Sequence, residues 1–125
     1  MDEKTHAGAA ICFLKLAETA DNSFTETGKK EWMIAASQNY FYAGINAIEA
    51  MLARGKTPMH PHSHESRSEA MSASSFFTSP EIHLHILVSS SSGSRIKTGY
   101  KGVNGENYKK LKEFASYFVD KADIK

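Results

Sequence analysis

The stretch Asn39-Tyr-Phe-Tyr-Ala-Gly-Ile-Asn-Ala-Ile-Glu-Ala-Met-Leu-Ala-Arg-Gly55 decides the fold. Extended back to Lys29 it contains no proline, and Gly55 stands where a helix end tolerates a left-handed residue, so the run predicts one long helix. Its apolar residues fall on two stripes. Met33, Ala36, Tyr40, Ala43, Ala47 and Met51 form one, and Phe41, Ile45, Ile48 and Leu52 the other. A helix apolar around that much of its circumference must be covered on several sides, which places it at the centre of the molecule. Gly44 costs about 1 kcal/mol of helicity against alanine. With Ala43 and Ala47 beside it, the expected compensation is the close approach of a neighbouring helix.

Outward from this helix, Ala10, Phe13, Leu14, Ala17 and Ala20 recur at helical spacing, predicting a first amphipathic helix over residues 3–22. Residues 22–28 hold Ser, Thr and Gly without periodicity and read as a short connection, which makes the first two helices antiparallel neighbours. Thr27 is the expected cap of the second helix. Trp32 is expected at the edge of the core. Pro58 and Pro61 exclude a regular helix between Lys56 and His64. Ser63 then reads as the N-cap of a short helix to about Ser74, with Ala70 and Met71 facing inward. Phe76 and Phe77 are too apolar to be left in water and are expected to cover the end of the core or to meet a partner chain. Ser79-Pro80-Glu81 has the order of a helix start, with Ser79 as the capping residue, proline at the first position and an acid in the first turn. Residues 82–88 alternate as a strand would, but no second period-two run exists to pair with them, so helix is the expectation, with Leu84, Val88, Ser91 and Arg95 on one face. A last helix, residues 106–122, carries Tyr108, Leu111, Ala115, Phe118 and Ala122 on its inner stripe, with Phe114 and Val119 beside it. These elements predict one all-α domain spanning residues 1–125, an up-and-down antiparallel helical bundle of four main helices plus one short helix.

Composition narrows the function. A net charge of +1 over 125 residues excludes a globally basic nucleic-acid binder. The single cysteine, Cys12, cannot form an internal disulfide, and its apolar neighbours suggest a buried thiol in a reducing compartment. No run approaches the roughly 20 apolar residues that cross a bilayer. The opening Asp2-Glu3-Lys4 lacks the basic-then-apolar order of a signal peptide, so the expectation is a cytoplasmic protein that engages no membrane.

The run Tyr40-Phe41-Tyr42-Ala43-Gly44-Ile45-Asn46-Ala47-Ile48-Glu49-Ala50-Met51-Leu52, a Pro/His-rich turn ending Ser63-His64, and Arg95-Ile96-Lys97-Thr98-Gly99-Tyr100 before an amphipathic final helix together resemble the HEPN domain (higher eukaryotes and prokaryotes nucleotide-binding). The resemblance covers residues 3 to about 122. It implies a four-to-five-helix bundle, usually a homodimer, often encoded with a small nucleotidyltransferase partner, with a nucleotide or RNA as the candidate ligand. One branch of the family is a metal-independent, toxin-like ribonuclease whose signature is an arginine followed, after four to six residues, by a histidine.

Arg95 matches that arginine, but no histidine follows His85, and the partner position holds Gly99 or Tyr100. Metal-free RNA cleavage needs a group that exchanges a proton near neutral pH, which imidazole does and a phenol with pKa near ~10 does not. The catalytic pair is incomplete, and Arg95, Lys97 and Tyr100 remain as phosphate-binding candidates, Arg95 by bidentate contact. An interhelical or dimer-interface salt bridge is the competing role for Arg95. His64 is the candidate substitute for the missing imidazole, provided its loop folds back towards Arg95. His60, His62 and His64 alternate in an extended segment and are the candidate metal ligands, with His83 and His85 as additions. The loop offers no Cys or Asp, so exposed or capping histidines are the expectation there, and no metal or cofactor is implied.

Overall fold

Asp2 opens the first helix, its carboxylate accepting the Thr5 backbone N–H at 2.8 Å. The computed structural model describes residues 2–55, 59–61, 63–89 and 105–124. Among the described residues the chain is all helical: α1 (Glu3–Thr27), α2 (Lys30–Arg54), α3 (His64–Ala73), α4 (Ser79–Ser89) and α5 (Gly105–Lys121). The ambiguous stretch at 82–88 is helix, as expected.

α1 runs further than its sequence suggests. The expected connection at 22–28 continues the helix because its hydroxyls bond back into it, Thr25 to the Asp21 carbonyl at 3.1 Å and Thr27 to that of Ser23 at 2.7 Å. Phe24 packs edge-on against Tyr108, 5.8 Å between ring centres. Gly28 ends α1 in the left-handed region at φ 68°, donating its N–H to the Phe24 carbonyl. Gly55, expected in that conformation, is instead extended at φ −69°. Thr27 does not cap α2; the N-cap is Lys29, which makes no side-chain capping bond.

Both stripes of α2 are buried, from Met33 and Ala36 to Met51 and Leu52, so the helix is central as its pattern requires. α1 covers it with Ala10, Ala17 and Ala20, and α5 with Leu111, Phe114, Ala115, Phe118 and Val119, joined by Ala122 just past its end. The close approach expected at Gly44 is made by α5. The Phe114 ring lies where a Cβ on Gly44 would stand and stacks on Phe41 at 6.2 Å. Cys12, expected among apolar neighbours, is exposed, because the buried side of α1 is given to its alanines. Trp32 lies at the rim, 41% exposed.

Helix directions follow from the contacts at the two ends. Arg54 at the end of α2 bonds Glu3 at the start of α1 (2.8 Å) and the Ala122 carbonyl just past α5 (2.9 Å). Glu81 near the start of α4 meets Tyr117 and Lys121 at the end of α5. The order α1, α2, α4, α5 is therefore up, down, up, down, with α3 as the short extra helix. Phe77 packs on Phe118 at 6.2 Å and Phe76 against the core, so these rings do cover its end.

Candidate functional site

Glu49 is an acid inside the apolar run 47–52 of α2, and a carboxylate in that position needs a partner. The partner comes from α3, which begins with a capping box. Ser63 accepts from the Ser66 N–H while the Ser66 hydroxyl accepts from that of Ser63. The turn that follows aims Arg67 inward, where it is only 7% exposed. Its Nε and Nη2 donate to Glu49 Oε1 at 3.2 and 2.9 Å. Its Nη1 donates to His64 Nδ1 at 2.7 Å and reaches His85 Nε2, from α4, at 3.5 Å. From the α1 side, His6 Nδ1 approaches the other Glu49 oxygen and Asn46 Oδ1, each at 3.3 Å.

The hydrogen bonds fix the state of His85. A guanidinium has no acceptor, so His85 Nε2 faces Arg67 unprotonated; the neutral ring then donates from Nδ1 to the Ser68 hydroxyl, 2.9 Å away, whose own proton goes to the His64 carbonyl at 3.2 Å. The proton is then on Nδ1, and Nε2 offers its lone pair to Arg67. Burial, with the Arg67 guanidinium next and His64 after it, holds the His85 pKa down to about 3, leaving a neutral ring. His64 likewise accepts at Nδ1 and carries the Phe41 ring edge-on at 5.6 Å. With a carboxylate and two imidazoles on one guanidinium, the arrangement is a strut joining α2, α3 and α4.

Two further polar hubs hold the bundle. Glu81 is 5% exposed; burial favours its neutral form, but hydrogen bonds from Lys121, Tyr117 and Thr78 outweigh it and hold the pKa down to about 2. Thr78 also caps α4, in place of the expected Ser79: its backbone N–H bonds Glu81 Oε1 at 2.7 Å, and its hydroxyl accepts the Glu81 N–H at 3.4 Å. At the other end, Asp21 accepts from Tyr40 and Lys112, both at 2.8 Å, and from Tyr108. Burial, then the hydrogen bond to Asp21, pushes the Tyr40 pKa upward. A cleft of about 490 Å³ opens here between α1, α2 and α5, with Leu14 and Val119 on its walls and Glu18, Asp21 and Lys112 among its charged groups.

Of the residues that sequence singled out, Arg95, Lys97, Tyr100 and His62 lie outside the described residues, as does Ser91. His60 and His83 are exposed. His64 and His85 converge on Arg67, 6.5 Å between ring centres, and each directs a ring nitrogen at a cation. No group of three or more His, Cys, Asp or Glu among the described residues is placed to hold a metal ion. No described helix is long and apolar enough to cross a membrane. Sequence reasoning missed Arg67, Glu81 and Asp21. Only Glu49 carried a signal, as a charge set among apolar neighbours. Comparison with protein-family models, with curated proteins and with solved structures gives no match.

Proposed function

We propose that this chain is a HEPN-like nucleotide- or nucleic-acid-binding or interaction module, homodimeric and the partner of a small nucleotidyltransferase, that lacks ribonuclease chemistry. The observation that carries the reading is the sequence run Arg95–Tyr100, with Lys97 inside it and no imidazole after it, which falls between α4 and α5 in chain order. The up-down-up-down order and the central, alanine- and aromatic-rich α2 are consistent with it. Arg67, the buried arginine of the described cluster, is occupied by Glu49, His64 and His85 and so presents no open guanidinium to a phosphate.

The test is a calorimetric titration of the chain with ATP and with a short RNA, alongside Arg95→Glu. Saturable heat that Arg95→Glu reduces at least tenfold in affinity is the expected result. A flat titration of the unaltered chain with both ligands removes the ligand-binding reading and leaves the interaction role, read by co-purification of a nucleotidyltransferase. The second reading is a toxin-like, metal-independent ribonuclease that uses Arg95 with His64. It rests on His64 being a half-buried imidazole whose Nδ1 is already oriented by Arg67. Chelator-resistant RNA cleavage, lost in both Arg95→Ala and His64→Ala, would establish it in place of the first.

A further inference from the structure

α1, α2 and α5 share the apolar core, whereas α3 and the second half of α4 reach it through a few apolar side chains and one ionic strut. Met71 and Val88 are buried, Ala70 and Leu84 are partly so, and between them lie Arg67, Ser68 and His85. The strut requires an unprotonated His85 Nε2, because the guanidinium that faces this nitrogen can only donate, which leaves the neutral ring's proton on Nδ1 against Ser68. We propose that α3 and the C-terminal half of α4 form an acid-released arm. A proton arriving on His85 Nε2 sets a second positive charge against Arg67, breaks the tie to Glu49, and frees the arm while α1, α2 and α5 stay folded.

Among the described residues, the charged and titratable groups that face the trigger come from four helices. α3 presents Arg67 and His64 to His85, and both oppose a charge on it. α2 contributes Glu49, whose Oε1 is engaged by Arg67, and α1 contributes His6, which addresses the other oxygen. At the start of α4, Glu81 keeps its charge far into acid and stays bound to Lys121 of α5, so that half of the helix remains pinned. Release uncovers Met71 and the Phe41 ring beneath His64, an apolar surface hidden at neutral pH.

Between about 3 with the arm docked and the ordinary 6.5 when it is free, lowering the pH to about 5 raises the released population ~30-fold. Hydrogen-exchange mass spectrometry on the full chain at about pH 7.5 and pH 5, corrected for intrinsic exchange, reads this. The expected result is faster exchange in peptides from α3 and the end of α4, with α1, α2 and α5 unchanged. His85→Gln, whose amide oxygen can still accept from Arg67 but takes no proton, should keep the arm docked and abolish the pH response. His83→Gln, on the exposed side of the same helix, should leave the response intact. An equal acceleration in all five helices, or a full pH response in His85→Gln, overturns the proposal. Should His85→Gln fail to fold, the His85 ring is titrated by NMR in the unaltered chain. A protonation midpoint near 6.5 with the arm still protected from exchange overturns the proposal, and protonation coincident with loss of protection supports it.

Discussion

Gly44 and Glu49 show how much depends on single side chains of α2. At Gly44 the Phe114 ring occupies the space of a Cβ, and Phe114 is itself fully buried, so it has nowhere to move. Gly44→Ala gains about 1 kcal/mol of helix propensity but overpacks a dense core, at a cost of about 1–3 kcal/mol or more. The expected net result is a loss of up to about 2 kcal/mol, measured as a lower urea midpoint with unchanged slope. Gly8, also in a helix, has no atom within 4 Å of an added Cβ, so Gly8→Ala should stabilise and serves as the control. At Glu49 the sequence shows the need for a partner but not its identity. Arg67 lies 18 residues away in the chain, across a proline-containing loop. Nothing local distinguishes it from a solvated arginine.

At the scale of the element, α4 was the least legible. Its alternation fits a strand, its hydropathy fits a buried helix, and only the lack of a second strand argued for helix. The structure adds the reason the helix stays put. Glu81, expected as no more than a first-turn acid, is buried against Lys121 and Tyr117 of α5. Glu81→Gln leaves Lys121 without its counter-ion. Because the Lys121 side chain keeps 24% of its exposure, the cost is expected below the fully buried range, at about 2 kcal/mol by denaturant titration. The same helix tests the limits of cap reading. Sequence placed the cap on Ser79, whereas Thr78 supplies it, a one-residue shift set by where Glu81 must point. α1 erred in the opposite sense: a Ser/Thr-rich stretch that looks like a loop is helical, because its hydroxyls bond to carbonyls one turn back and Phe24 finds Tyr108.

At the scale of the molecule, three buried groups among the described residues shape the pH range of stability. His85 binds its proton less readily folded than unfolded, so stability falls as pH drops below 6.5, by about 1.4 kcal/mol per unit towards pH 3. Glu81, whose carboxylate is held in its charged form, adds a second loss as pH falls from 4.5 towards 2. Tyr40 is held neutral, so above pH 10 the unfolded chain releases a proton that the folded one keeps, and stability falls again. The urea midpoint, followed by Trp32 fluorescence, is therefore expected to be flat between about pH 6.5 and 10 and to decline on both sides. His85→Gln should flatten the acid decline between pH 6.5 and 4.5 and make it shallower from there to about pH 3, leaving only the loss due to Glu81. An acid limb identical in that variant would show that other groups dominate.

By itself the sequence determined the helices and the centre of the bundle. Hydrophobic periodicity is local, and a long helix with two apolar stripes has few ways to be buried, so α2, the inner face of α5, Ser63 as a cap and the approach at Gly44 were all readable from neighbouring residues. The tertiary structure alone decided which charges meet. Glu49 with Arg67, Glu81 with Lys121, and Asp21 with Tyr40, Tyr108 and Lys112 are pairings between different helices, at separations for which sequence carries no period. It also decided the chemistry of the histidines. An imidazole is a ligand, a base or a strut according to what faces each of its nitrogens, and for His64 and His85 that is a guanidinium from α3.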